Sequence, residues 1–157
     1  MTIGHRLKSL TELEEQIQLR IEEFDTKRAQ NQKNNRLFTL THLSLSTLTT
    51  LLIAINAKLS LFPLAIIAMT TNSVAILASQ LLTKFMYQER MAMNIATTCA
   101  LRELSHSIIM AKKKEEDSAL THAITISHVD SYQKRYQTIL NSADGQWQKN
   151  INRKKSQ

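Results

Sequence analysis

The residues that could carry out acid–base or nucleophilic chemistry are few in this sequence, and they form no catalytic pattern. His106, His122 and His128 lie in polar stretches, and the last two, six positions apart, do not share a helical face. His42 has no second metal ligand three or four positions further on, and a single cysteine, Cys99, excludes an internal disulfide and a multi-cysteine zinc site. We find no glycine-rich phosphate loop and no nucleophile elbow in the sequence. The expectation is a protein that is not an enzyme and needs neither cofactor nor metal.

A stripe of polar side chains inside an uncharged stretch carries more information. His42, Ser46, Thr49 and Asn56 fall on one helical face, together with Ile53. A second stretch places Asn72 and Ser79 on a face with Ala65, Ala68 and Ala75. Small residues let helices approach closely, and hydroxyls and amides bond between helices. The same groups could instead line a water-filled pore in an oligomer. Both interpretations stay open for His42, Ser46, Thr49, Asn56, Asn72 and Ser79.

The uncharged stretch itself predicts two transmembrane helices. Residues 37–57 and 59–83 contain no formally charged side chain, and Lys58 separates them. Each exceeds the ~20 residues that a helix needs to cross the hydrocarbon core. We place the spans at 37–57 and 61–83, with Pro63 in the first turn of the second helix. A soluble bundle with uncharged core helices is the alternative, because the first stretch is rich in Ser and Thr.

The distribution of charge predicts the orientation of this hairpin. The chain carries 20 Lys and Arg against 13 Asp and Glu, a net charge of +7. Basic residues flank both outer ends of the spans, whereas the tip carries only Lys58; the flanking residues are Lys27, Arg28, Lys33, Arg36, Lys84, Arg90 and Arg102. The positive-inside rule therefore leaves both termini in the cytosol. The anionic inner surface of the membrane accounts for the basic excess, so no nucleic acid is expected as a partner.

Two glycines and one proline in 157 residues predict long helices and no sheet. The fold class is thus an all-α membrane protein: a two-helix transmembrane hairpin with an amphipathic N-terminal helix and long C-terminal cytosolic helices. We divide the chain into a cytosolic amphipathic helix (1–35, with a polar joint at 31–35), the hairpin (36–84), a cytosolic helical region (85–145) and a basic tail (146–157). The second span is expected to continue unbroken into the cytosol, and Gly145 to end the last helix.

Apolar seams predict how the cytosolic helices pack. Leu7, Leu10, Ile17, Ile21 and Phe24 share a face of the first helix, and Ile124, Val129, Tyr132, Tyr136 and Ile139 supply the seam of the last. Leu101, Leu104 and Ile108 form a narrow heptad-like seam that we predict to be buried between helices and to serve as an oligomer contact. Cys99, among small and apolar neighbours, is expected to be buried.

This layout resembles the SLATT family. The resemblance rests on Arg28 and Asn31 before the first span, two spans with a minimal loop, Tyr87-Gln-Glu-Arg90, Leu101-Arg-Glu-Leu104, and a late Gln146-Trp147. The aromatic residue that often follows the second span as Trp would here be Phe85 or Tyr87.

The family comprises bacterial two-span proteins associated with nucleotide-signalling anti-phage systems and thought to perforate the membrane. The resemblance therefore implies a homo-oligomeric, pore-forming effector of abortive infection in the bacterial inner membrane, with a nucleotide-signalling or sensor protein as a possible partner. Three other functions stay open: a membrane anchor or scaffold that recruits a partner, a holin, and a soluble helical oligomer.

Overall fold

The computed structural model describes residues 7–118 and 122–155, and this part of the chain is helical with no strand. It contains four helices: α1 (Lys8–Leu59), α2 (Phe62–Phe85), α3 (Tyr87–Asp117) and α4 (Ile126–Lys155). The chain divides into two compact units. We call residues 29–91 the hairpin unit, and residues 1–28 with 92–157 the helical unit.

The hairpin unit turns through two residues between α1 and α2. Ser60 adopts a left-handed conformation (φ 50°) and donates its backbone N–H to the carbonyl of Asn56 at 2.8 Å. The side chain of Asn56 accepts the backbone N–H of Leu61 at 2.9 Å. Pro63 lies in the first turn of α2, where its missing N–H costs no helical hydrogen bond. The tip therefore forms where the sequence predicts it.

The helical unit has its own hydrophobic core, built by the start of α1 with α3 and α4. Leu10, Ile17, Leu101, Leu104 and Ile108 are its largest fully buried side chains. Leu13, Ile21, Ile124, Val129 and Tyr136 complete the buried cluster, and Leu7, Phe24, Ala111, Tyr132, Ile139 and Leu140 pack against it. The apolar faces predicted for the first and last cytosolic helices are thus the faces that are buried.

Two ion pairs join α1 to α3 at the edge of this core. Lys112 Nζ lies 2.9 Å from a carboxylate oxygen of Glu14, and both side chains are about three-quarters buried. Arg102 donates to Asp25 at 2.7 Å.

The start of α4 is capped by His128, whose Nδ1 accepts the backbone N–H of Thr125 at 3.2 Å. His128 has a structural role here.

Four local expectations are wrong. The polar stretch 31–35 lies inside α1 and does not form a joint. Helix α4 continues through Gly145 to Lys155, because one helical glycine costs only about 1 kcal/mol. The second span does not continue unbroken: Met86 adopts a left-handed conformation (φ 50°, ψ 44°) that ends α2 before α3 begins. Cys99 is exposed, since the buried face of α3 passes through Thr98 and Leu101.

Candidate membrane-embedded site

The outer surface of the hairpin unit is apolar and uncovered. Two helical stretches, Lys8–Leu59 and Phe62–Asp117, are long and apolar enough to cross a membrane. Only 6% and 17% of their most apolar windows are buried, whereas the core helix of a soluble protein would be mostly buried. The large exposed side chains of the hairpin include Leu37, Leu40, Leu43, Leu48, Leu51, Ile53, Ile55, Phe62, Ile66, Ile67, Met69, Val74, Ile76 and Leu77. This surface has the character of one that faces lipid.

The polar stripe predicted on the first span lies on the less exposed face of α1. Thr49 is buried, and His42, Ser46 and Asn56 are half-buried, whereas Ile53, which shares this face, is 57% exposed. Asn56 is held by the turn at the tip, as described above. These four polar side chains thus lie toward the interior of the hairpin.

His42 bonds directly to the second helix of the hairpin. Its Nδ1 lies 3.0 Å from the carbonyl oxygen of Ala75. A carbonyl can only accept, so the contact is a hydrogen bond when Nδ1 carries the proton. Ala75 is 1% exposed, and its small side chain lets the ring approach the backbone of α2. The histidine is therefore an interhelical contact within one chain.

Many hydroxyl groups of the two spans find acceptors in their own helix. Thr49 donates to the carbonyl of Leu45 at 2.8 Å, and Thr71 to that of Ile67 at 2.7 Å. Thr47, Thr50, Thr70, Ser73 and Thr83 make the same kind of bond to a carbonyl three or four residues earlier. These hydroxyls need neither water nor a second helix to satisfy their donors.

Asn72 is the exposed member of the stripe predicted on the second span. Ala68 and Ala75 are buried and Ala65 is half-buried, whereas Asn72 is exposed. Within the described residues its amide makes no hydrogen bond. Ser79, the other candidate on α2, is half-buried. Asn72 therefore lies at the rim of the contact between the two helices.

Leu101, Leu104 and Ile108 are buried between helices, but inside a single chain. Each is 0% exposed and packs in the core with Leu10 and Ile17 of α1. The predicted burial between helices is confirmed. The three side chains are fully covered within one copy, and their role as an oligomer contact stays a prediction.

An aromatic cluster lies at the open end of the hairpin, opposite the tip. Phe38 and Tyr87 are stacked with ring centroids 6.0 Å apart, and Phe85 lies 5.6 Å from Tyr87. Tyr87 is 7% exposed and Phe85 is 40% exposed. We call these rings, with the nearby Lys33, Arg36 and Lys84, the hairpin base. Sequence reasoning noted the charges but missed the stack, which depends on the long-range pairing of α1 with the start of α3.

A charged cluster of the helical unit perturbs two ionisable groups. Hydrogen bonds from Lys27 and then Arg20 lower the pKa of Glu23 below its ordinary value. The hydrogen bond with Glu23 is the largest cause of the raised pKa of Arg20, and a hydrogen bond with Tyr136 is the next largest. These side chains are about half exposed, so the cluster is a solvated network.

Comparison of the chain with protein-family models, with curated proteins and with solved structures finds no match. The resemblance to the SLATT family therefore stays a prediction. Among the described residues, no group of three or more His, Cys, Asp or Glu side chains is placed to hold a metal ion.

Proposed function

We propose that this protein inserts its hairpin into the bacterial inner membrane, with both termini in the cytosol, and acts as a non-enzymatic effector. Several copies assemble in the bilayer and perturb or perforate it, in the setting of anti-phage defence that the resemblance implies. The observation that carries the proposal is the combination on one surface of exposed Leu and Ile side chains with the exposed amide of Asn72.

The apolar surface supports insertion. Large apolar side chains surround both helices of the hairpin unit, while the helical unit encloses a buried apolar core. A soluble monomer rarely exposes contiguous apolar patches larger than a few hundred Å². The acyl chains of lipids cover such a surface and remove it from water.

Asn72 supports assembly. Lipid tails offer no hydrogen-bond partner, so an amide that faces them in a single copy stays unsatisfied at a cost of several kcal/mol. A second copy can supply the partner, because an amide both donates and accepts. Since one hairpin cannot enclose a pore, a membrane breach requires this assembly.

A second candidate, a membrane anchor that recruits a partner, is favoured by the helical unit. Its core is complete within one chain, and its exterior is charged. Such a unit could present a binding surface for a sensor or nucleotide-signalling protein without any pore.

Reconstitution of the purified protein into dye-filled liposomes separates the two candidates. The effector should form oligomers larger than a dimer in detergent and release dye above the rate of empty liposomes. If the protein inserts but stays monomeric or dimeric and releases no dye, the anchor function replaces the effector function. Recovery of the protein from the soluble fraction without detergent would refute both.

A further inference from the structure

The hairpin base lies one bilayer thickness from the tip. At 1.5 Å per residue, α1 rises about 32 Å between Phe38 and Leu59, close to the ~30 Å of a hydrocarbon core. Aromatic residues concentrate at the two membrane–water interfaces. In a hairpin that spans the membrane with its tip outside, Phe38, Phe85 and Tyr87 therefore lie at the cytosolic interface.

Three cations near the aromatic stack have no anionic partner among the described residues. Lys33, Arg36 and Lys84 are exposed and make no ion pair or hydrogen bond within the described residues. Arg36 lies two positions before Phe38 in α1, and Lys84 directly precedes Phe85 at the end of α2, so both are within about 5 Å of the aromatic cluster along their helix axes. Glu89 is the one acidic residue between 29 and 91. The three cations are therefore available to an external anion.

The surface beside these cations is apolar. Leu37 is 58% exposed, Leu40 is 51% exposed and Phe85 is 40% exposed. A ligand that satisfies both features has an anionic head and a hydrocarbon body. Inorganic phosphate would fit only the cations, whereas a phospholipid fits both parts.

We propose that the hairpin base binds the phosphate headgroup of an anionic phospholipid of the cytosolic leaflet, with an acyl chain along Leu37, Leu40 and Phe85. This inference rests on the proposed membrane insertion and does not depend on pore formation. Arg36 can engage the phosphate through two parallel N–H donors, and Lys33 and Lys84 act as point charges.

Native mass spectrometry of the full-length protein tests the site. The protein is released from detergent micelles that contain equal amounts of phosphatidylglycerol and phosphatidylcholine, and the lipids that it retains are counted. Wild-type protein should retain phosphatidylglycerol in excess. Because one cation near an anionic surface changes binding by about fivefold, Arg36→Gln should lower this retention by that factor, and the triple variant K33Q/R36Q/K84Q should abolish the preference.

Lys58→Gln is the matched control, because Lys58 is also an exposed cation beside apolar residues but stands alone at the tip. It should leave the preference intact, and Arg36→Lys should restore most of what Arg36→Gln removes. Helix content by circular dichroism confirms that each variant is folded.

Equal retention of the two lipids by wild-type protein, or an equal effect of Lys58→Gln, would overturn the site. Displacement of phosphatidylglycerol by excess inorganic phosphate would assign the cations to a soluble anion instead. If wild-type protein must be extracted from membranes with detergent but shows no preference for phosphatidylglycerol, this inference alone is refuted. If the protein is soluble without detergent, the proposed function is refuted as well.

Discussion

The ring of His42 on α1 lies 3.0 Å, Nδ1 to oxygen, from the backbone carbonyl of Ala75 on α2. This contact fixes the two helices of the hairpin against each other, about 6 Å from Phe38 along the axis of α1. It depends on a donor on one helix and on a small, buried residue on the other. The donor and the small residue can each be removed by a separate substitution.

Ala75→Leu should destabilise the hairpin by about 1–3 kcal/mol, because a larger side chain at this 1%-exposed position forces the helices apart. His42→Leu should cost about 0.6–2 kcal/mol through the lost interhelical hydrogen bond. Val74→Leu, at an exposed position, is the control. Energy transfer between labels on Gln32→Cys and Gln88→Cys, in a Cys99→Ser background, reports hairpin opening during titration with SDS. Equal stability of Ala75→Leu and Val74→Leu would contradict the packing.

The topology predicts opposite labelling of two cysteines. Cys99 is exposed on the helical unit and serves as a native probe of the cytosolic side. A maleimide that cannot cross membranes should leave Cys99 unlabelled in intact spheroplasts and label it after lysis. Lys58→Cys in a Cys99→Ser background should be labelled without lysis. Labelling of Cys99 in intact spheroplasts would exclude the N-in/C-in hairpin.

Asn72→Leu should weaken self-association by about 0.6–2 kcal/mol, because it removes an interhelical hydrogen bond between copies. Thr70→Val is the matched control: Thr70 is also exposed on α2, but its hydroxyl bonds to carbonyls of its own helix. Analytical ultracentrifugation in detergent measures the effect. If Asn72→Leu assembles like wild-type protein and releases less dye from liposomes, Asn72 lines the conducting path instead of joining the copies.

Leu104→Ala should destabilise the helical unit by about 2–5 kcal/mol, since Leu104 is completely buried in its core. Ile109→Ala, at a position that is 44% exposed on the same helix, should change stability by less than about 0.5 kcal/mol. Thermal unfolding followed by circular dichroism gives both values. A change in oligomer size with no loss of stability would instead support the predicted oligomer-contact role of this seam.

Acid should weaken the network around Glu23. The pKa of this carboxyl is lowered in the folded protein by Lys27 and Arg20, so its contribution to stability is present above its ordinary pKa of about 4.3 and is lost as pH falls through the lowered value. Pairs of this spacing contribute about 0.2–0.5 kcal/mol each. Glu23→Gln should therefore lower stability at neutral pH but not at strongly acidic pH. The double variant R20Q/K27Q should show the same pattern; a uniform loss at all pH values would contradict it.

Sequence periodicity predicted the helices, the tip and the buried faces of the helical unit, because long apolar stripes and Pro63 are local signals. It failed where several local choices are nearly equal in free energy. Gly145 could have ended α4, but the helix continues through it. Met86 ends α2 although no glycine or proline at this position signals a helix end.

The candidate site was predicted less well than the fold. The residues of the polar stripe were identified, but the exposure of Asn72 was not, because helical spacing gives the face of a residue and not how closely the partner helix covers it. The stack of Phe38 on Tyr87 joins residues distant in sequence, and no periodic pattern encodes such a contact.

The hydroxyl bonds of Thr47, Thr49 and Thr50 to their own helix have a consequence for biosynthesis. In the proposed membrane hairpin, the first span leaves the ribosome ahead of the second. Its threonines already have acceptors one turn back, so this helix can partition into lipid before α2 has emerged. The ring of His42, by contrast, receives its acceptor only when Ala75 arrives. The bond between the two helices therefore forms only after both spans have emerged, and it closes the hairpin.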